Sequence, residues 1–475
     1  MKGITKGDDV SGNGKKYLLP DWVPDWARKA PLLKVAPPGP KSQKIINLDE
    51  KYVSPSYDRL FKFVMHKAAG ASIMDADGNI YIDFSSGIGV VNAGWANPRV
   101  VSMIQEQAER LIHSLANDAY FEYQAKFGEL LAKSSPGKAL GKTFFGNSGA
   151  EGVEAAVKLS RFHTGKSEHI AFMGAYHGRT GTALTLTSKK GYKYKHGPMM
   201  PGIYHAPYPY CYRCAFGQEY PSCNLLCMEF FEHTFLGYGG SAGDIASIFV
   251  EPILGEGGYI VPPKEFLPRL RKICDNLECL LVVDEVQSGC GRSGKMWACE
   301  HFNVIPDILV IGKAAGGGVP FGGIVAKSEI MENWVPGSHS TTFGGNGLSC
   351  AAGYAHLKEI LDKNLSKRSA DLGREAMKQL KEAQEDHPMI GDVRGKGLMM
   401  GVEIIKDQKT KEPYHVRKLQ ELAWRKGLMM ITAGMEFNVF RVAPPLVISS
   451  EQLTKGIEIF VDVISEVEKM EGVKR

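Results

Sequence analysis

The chain reads as an α/β protein: a large domain on a roughly seven-stranded, mostly parallel sheet, joined to a smaller α+β domain. Three observations carry that reading. From Lys142 onward, short β-branched-rich runs alternate with helical stretches, the pattern of parallel strands joined by helical crossovers. Two of the runs, Leu280–Val283 and Ile308–Ile311, are apolar throughout and lie near Pro or Gly breaks, as strands buried on both faces do. After Gly345 the alternation gives way to a long helical region, short strands and a last helix.

Taken in order, residues 1–50 read as an arm packed on a body. Pro20, Pro24, Pro31, Pro37, Pro38 and Pro40 interrupt regular structure there, while Trp22, Trp26, Leu32 and Leu33 offer apolar surface to bury. Residues 51–98 are assigned to the smaller domain. Within them the alternation from Ala71 to Phe84 predicts a hairpin turning at Asp77-Gly78-Asn79. Pro98–Ala116 has helical spacing and opens the large domain, residues 99–345. Its expected strands are Lys142–Gly146, His169–Tyr176, Ile203–Ala206, Ile245–Glu251, Leu280–Val286, Ile308–Lys313 and Gly323–Lys327, with helices at Ala150–His163 and Phe266–Asn276. Residues 346–475 complete the smaller domain: a helical region at Leu348–Ala383, strands within Val393–Ile405 and Val439–Val442, and a helix at Ser450–Met470.

Composition bounds the function. With 475 residues, 44% hydrophobic and 23% charged, the chain is an ordinary globular protein with room for two or three cores. A net charge of +5 without basic blocks gives no support to a nucleic-acid or membrane-surface role. No apolar run approaches a membrane span and the polar amino terminus has no signal-like core, so the cytoplasm is the expected compartment. Nine cysteines in a chain of this size do not make a secreted disulfide scaffold.

The chemistry gathers where strands end. Leu280–Val283 runs into Asp284-Glu285-Val286-Gln287, and Ile308–Ile311 into Gly312-Lys313-Ala314. In open α/β sheets ligands bind at the carboxyl ends of strands, so an acid and an amine on two such ends can meet on one small molecule. A third strand end, Gly146-Asn147-Ser148-Gly149-Ala150-Glu151, opens a helix, and Ser148 with Glu151 has the form of a capping box. The first-turn amides there, beside the small Ser148, Gly149 and Ala150, make an anion site. The run Gly289–Lys295 fits the G-x-x-x-x-G-K pattern of nucleotide triphosphatases but continues with Met296 in place of the Ser or Thr that would hold magnesium, which sets that reading aside. An anion-binding helix start, a strand-end carboxylate and a strand-end lysine 29 positions later are what pyridoxal 5'-phosphate requires. The phosphate takes the helix, the carboxylate keeps the pyridine nitrogen protonated and the amine forms a Schiff base with the aldehyde.

From about Gly70 to the end, the chain resembles the class III aminotransferases of fold-type-I pyridoxal phosphate enzymes, and among them the 4-aminobutyrate and ornithine aminotransferases. The blocks that carry the resemblance include FGNSGAEGVEAAVKLSR (145–161), AFMGAYHGRT (171–180), VEPILGEGG (250–258), VVDEVQSGCGRSG (282–294), GKAAGGG (312–318) and FRVAPPL (440–446). The resemblance implies that Lys313 is the Schiff-base lysine, that Asp284 is the partner of the ring nitrogen, and that Ser148, Gly149 and Ala150 hold the phosphate. It places Tyr176 on the cofactor ring with His177 beside it, Gln287 by the phenolic oxygen, and Thr342 on the phosphate of the other subunit, so that a homodimer or a dimer of dimers is expected. For the substrate it assigns Arg441 to the α-carboxylate and Glu256 to neutralising Arg441 when that carboxylate is absent. Arg179 is given the distal carboxylate and Ile88 the pocket wall. The implied reaction moves an amino group from an ω-amino acid such as 4-aminobutyrate, or an ornithine- or lysine-like donor, to 2-oxoglutarate. Some members racemise or epimerise amino acids and some decarboxylate dialkylglycines with the same lysine and aspartate. Retention of Glu256 with Arg441 favours transamination, and retention of Lys313 and Asp284 argues against a binding-only homologue.

Two segments depart from the pattern. Gly94-Trp95-Ala96-Asn97-Pro98 stands where G-H-x-H-P is usual, and Gly312 precedes the lysine where Ser is commoner. Cys211-x-x-Cys214 and Cys223-x-x-x-Cys227 have a spacing open to a structural zinc, to two disulfides or to four free thiols, and no metal is assigned to the site.

Overall fold

Seven strands form the central sheet in the spatial order Lys142–Gly146, Gly322–Ala326, Ile308–Gly312, Leu280–Asp284, Ile245–Val250, Glu168–Phe172 and Ile203–Ala206. Only Gly322–Ala326 runs antiparallel to its neighbours; the five strands beyond it are mutually parallel. The computed structural model describes residues 16–115, 118–238 and 243–473. Residues 1–15 of the expected arm, and Ala116 at the expected end of the helix beginning at Pro98, lie outside the described residues.

Continuous apolar runs make the three central strands. Every residue of Leu280–Asp284, Ile308–Gly312 and Ile245–Val250 is buried, because helices cover both faces of the sheet and leave none of the alternation a half-exposed strand would show. At roughly 1.5–3 kcal/mol for each fully buried Val, Leu or Ile side chain, this layer supplies a large share of the hydrophobic stabilisation. The helix Gly149–Thr164 lies against the sheet through Gly152, where a Cβ would come within 2.6 Å of the Gly323 carbonyl oxygen. Any larger residue at 152 would push the helix off the strands, and with it the anion-facing first turn.

Two four-stranded sheets flank this body. Met65–Ala69, Ser72–Asp75 and Ile80–Asp83 form an antiparallel meander, and Leu428–Met429 adds to Ile80–Asp83 in parallel. The expected hairpin therefore pairs with a segment from the far end of the chain. The second sheet runs Ile390–Lys396, Met399–Ile404, Val439–Val442 and Thr432–Ala433. No helix among the described residues is long and apolar enough to cross a membrane.

Several expected boundaries shift for physical reasons. His169–Tyr176, Leu280–Val286 and Ile308–Lys313 are shorter as strands, ending at Phe172, Asp284 and Gly312, and the residues Tyr176, Val286 and Lys313 beyond those ends line a cavity. The helical region after Gly345 is two helices, Gly347–Asp362 and Leu365–Asp386, broken at Asn364, which takes a left-handed φ of 47°. The prolines of the first fifty residues do not exclude regular structure. Pro40 stands at the start of a helix, Pro40–Tyr52, where its missing N–H costs nothing. That helix is capped from a distance, since the Asp77 carboxylate in the hairpin turn accepts the Lys41 and Ser42 amides, both at 2.9 Å. Trp22 and Trp26 do pack on the body, around Val23, Ala27 and Ala69.

Candidate active site

The carboxyl ends of the parallel strands open onto a cavity of about 420 Å³ lined by Ser148, Gly149, Ala150, Tyr176, His177, Arg179, Glu251, Glu256, Asp284, Gln287 and Lys313, among others. Its volume suits a cofactor-sized ligand. Asp284 ends its strand and is held from two sides. Its Oδ1 accepts the Val286 amide at 3.0 Å, and its Oδ2 lies 2.8 Å from His177 Nδ1. Burial opposes a charge on His177, but the hydrogen bond and charge of Asp284 together outweigh it and move the imidazole pKa up. The pair therefore fixes the Asp284 carboxylate in one orientation at the cavity.

Lys313 follows the neighbouring strand, whose Val310 pairs with Asp284. It adopts φ 46°, in the left-handed region that a non-glycine residue rarely enters, directly after an extended Gly312. Strain of this kind is held in place by its surroundings and gathers at functional positions. Burial draws the Lys313 pKa below the ordinary lysine value, against the opposing charge of Glu256. More of the amine is then unprotonated, and able to act as nucleophile or base, than in an exposed lysine.

At the helix start in the cavity, Ser148 caps the helix Gly149–Thr164 by accepting the Glu151 amide at 3.2 Å. Asn147, through both its amide N–H and its side chain, donates to Glu151 Oε2 at 2.9 Å, so the strand-to-helix turn is locked by its own residues. Gly149 is required by contact: a Cβ there would meet the Val286 methyls at 2.9 Å.

At the other end stand the residues expected for substrate. Arg441 Nη2 donates to Glu256 Oε2 at 2.7 Å and to the Thr432 carbonyl at 2.8 Å. Burial would raise the Glu256 pKa, but the charges of Arg441 and Lys313 hold it below the usual carboxylate value. Arg441 Nε and Nη1 are buried without a hydrogen-bond partner among the described residues, as are Gln287 Oε1 and His177 Nε2. The Arg179 guanidinium lies 4.2 Å from the centre of the Tyr192 ring and forms no ion pair among the described residues.

Three expected site residues do not line the cavity of this chain, and of these Arg441 is buried behind Glu256, which does line it. Thr342 is exposed, and Ile88 is 49% exposed on a turn beside Gln287. Two others were not singled out from the sequence. Glu251 ends the strand Ile245–Val250 in the cavity, where its carboxylate accepts the Tyr176 and Gly255 amides, each at 2.9 Å, and burial pushes its pKa up to about 7. The strand-end rule that marked Asp284 would have marked it too. Lys189 is buried, donates to the Gly434 carbonyl at 2.8 Å and is drawn down to about 8 by burial. Nothing in the run Thr187-Ser188-Lys189-Lys190 announces this.

The loop 289–295 is not a phosphate cradle. Arg292 fills it from within, 1% exposed, donating to the Leu398 and Pro444 carbonyls, Ser86 Oγ and Asn92 Oδ1. The four clustered cysteines carry free thiols around a cavity of about 20 Å³. Among the described residues no group of three or more His, Cys, Asp or Glu is arranged to hold a metal ion.

A family profile described as aminotransferase class-III matches residues 52–464. The chain belongs to the class-III aminotransferase family. Among curated relatives of this family member, the leucine/methionine racemase of Thermococcus litoralis is 39% identical over 404 residues, 85% of this chain and 90% of that protein. The 4-aminobutyrate aminotransferase of Escherichia coli is 35% identical over 405 residues, 84% of this chain and 93% of that protein. Among solved structures, the omega transaminase from Pseudomonas jessenii in complex with PMP superposes with a TM-score of 0.83 at 25% identity, covering 90% of this chain and 98% of that one. The class-III aminotransferase fold is thus shared throughout, and the family's cofactor is pyridoxal 5'-phosphate. The cavity fits it: an amide-rich helix start, a carboxylate backed by a histidine, a lysine after the neighbouring strand and an orphaned buried amide oxygen on Gln287.

Proposed function

We propose that this enzyme transfers an amino group from an ω-amino acid, such as 4-aminobutyrate or an ornithine- or lysine-like donor, to 2-oxoglutarate. The observation that carries the reading is the Glu256–Arg441 pair, whose Glu256 lines the same cavity as an Arg179 without an acidic partner among the described residues. When bound, pyridoxal phosphate supplies an electron sink for the substrate carbon that loses a proton.

The chain's own residues do the rest. The first-turn amides at Ser148, Gly149 and Ala150 hold the phosphate. Asp284, kept in register by His177, would hold the cofactor at its ring nitrogen, with Tyr176 and Gln287 as the residues that would hold its ring and phenolic oxygen. Lys313 Nζ removes the proton from the substrate carbon and returns one during the exchange. Arg441 pairs with the α-carboxylate of glutamate or 2-oxoglutarate through a bidentate bond. A donor without an α-carboxylate would leave Arg441 charged and buried, and Glu256 neutralises it. Arg179 takes the distal carboxylate of either substrate, and Ile88, exposed beside Gln287 in the single chain, borders the pocket at its rim.

The reading extends to the assembly, a cytoplasmic homodimer or dimer of dimers in which Thr342 serves the other subunit's phosphate. It also places the domain boundaries near residues 50, 98 and 345. A racemase or epimerase is the second reading, favoured by the racemase of Thermococcus litoralis among the relatives. A panel of amino donors with 2-oxoglutarate or pyruvate, with chiral analysis of recovered amino acid, separates the two. Loss of chirality without oxo-acid-dependent glutamate or alanine formation would replace transamination by racemisation.

A further inference from the structure

Four consecutive residues beside the cavity have left-handed backbone: Ser86 at φ 52°, Gly87 at 61°, Ile88 at 67° and Gly89 at 72°. Glycine tolerates this, but a β-branched residue such as Ile88 is a genuine outlier there, and left-handed residues ordinarily occur singly. Such a run persists only if its surroundings over-determine it.

One carboxylate does most of that. Asp83, fully buried at the end of the strand Ile80–Asp83, accepts four donors. The Ser85 amide and hydroxyl reach Oδ1 at 2.7 and 2.6 Å, the Ser86 amide lies 3.1 Å from Oδ2, and the Trp95 indole N–H donates to Oδ2 at 2.7 Å. The Trp95 ring also lies on the turn, since a Cβ at Gly87 would come within 3.2 Å of it. From the other side, buried Arg292 donates to Ser86 Oγ at 3.0 Å. The far end of the turn abuts the site, because a Cβ at Gly89 would sit 3.7 Å from Gln287 Cγ. Ile88 is thereby left outward, 49% exposed, next to a wall of the cavity.

We infer that Asp83 and Trp95 are positioning residues for the reaction: together they hold residues 86–89 in the left-handed turn and so fix Ile88 as the surface that selects donors by shape. The inference rests on the transaminase reading for the place of Ile88 beside the donor. A strained turn held by a buried carboxylate keeps one apolar side chain at one height, and a rigid apolar wall discriminates donors by the fit of single methylenes, which is worth on the order of tenfold or more in kcat/KM.

Trp95→Phe keeps an aromatic side chain but removes both the indole donor to Asp83 and the outer ring edge that lies on Gly87. Amide exchange over residues 85–90 is expected to quicken by about tenfold, while the cofactor's visible band and the thermal midpoint stay near those of the parent protein. Discrimination between a short linear ω-amino donor and a bulkier branched one should fall by about tenfold, through KM rather than kcat. In an Ile88→Gly background, adding Trp95→Phe should change discrimination no further. Asp83→Asn, if it folds, should give the same pattern more strongly. Unchanged exchange over 85–90 in Trp95→Phe overturns the inference, and so does an equal effect of Trp95→Phe with and without Ile88. If the parent protein turns over no donor, it is the transaminase reading that fails, and the exchange measurement alone then decides whether Trp95 holds the turn.

Discussion

Replacing Glu256 by Gln should separate the two half-reactions. The substitution keeps the shape and an acceptor oxygen facing Arg441 but removes the charge at 2.7 Å. At an effective dielectric of about 20, a full charge pair at that separation is worth roughly 6 kcal/mol before desolvation. Much of this is offset by taking both groups out of water, which leaves about 2–3 kcal/mol, the usual worth of a hydrogen bond to a charged group. With an ω-amino donor bound, Arg441 of the variant stays buried and uncompensated, so kcat/KM for 4-aminobutyrate should fall by roughly 30- to 150-fold. With glutamate or 2-oxoglutarate bound, the ligand carboxylate pairs with Arg441 instead, and that half-reaction should stay within about threefold. Single-turnover spectra of the cofactor with each amino donor read the two halves separately. An equal fall in both, or in neither, would refute the claim that Glu256 acts by neutralising Arg441.

Other perturbations follow from the same geometry. Lys313→Ala should abolish the visible absorption of lysine-linked cofactor and reduce turnover by several orders of magnitude, read by spectroscopy and by glutamate formation; normal transamination in that variant would end the assignment. Arg179→Gln should raise KM about 10- to 100-fold for donors carrying a distal carboxylate and leave a simple diamine unaffected, as expected for a lost charge-assisted bond. Glu285 is buried, accepts the Cys299 amide at 2.7 Å and is pushed up to about 7 by burial. Its folded pKa is thus above its unfolded one, so its contribution is fully present below the unfolded pKa, near 4.5, and is lost as pH rises through about 7. Thermal midpoints of parent and Glu285→Gln at about pH 5 and about pH 8 should show a fall with pH in the parent that the variant lacks; parallel curves would refute it.

What could be read from residues alone was the part governed by local pattern. Continuous apolar runs announced the central strands, and the strand-end rule found Asp284 and Lys313 because both stand directly after such runs. Pro40 misled because proline breaks a helix only in its interior, and here it begins one. Glu251 escaped because a glutamate after a strand looks the same whether it is solvated or closed in by the Tyr176 and Gly255 amides. Lys189 escaped likewise, its burial being created by Gly434 and Phe437 from far along the chain. The left-handed run at residues 86–89 has no local signature, since Ser86 and Ile88 both prefer other backbone, and only Asp83, Trp95 and Arg292 together impose it.

The parallel pairing of Leu428–Met429 with Ile80–Asp83 has a consequence for birth on the ribosome. The amino-terminal meander is synthesised with one flank bare, and the segment that covers it emerges about 350 residues later, which at roughly 5–20 residues per second means tens of seconds. During that interval the nascent protein offers an open β-flank to any neighbour, and the arrival of Leu428–Met429 closes it.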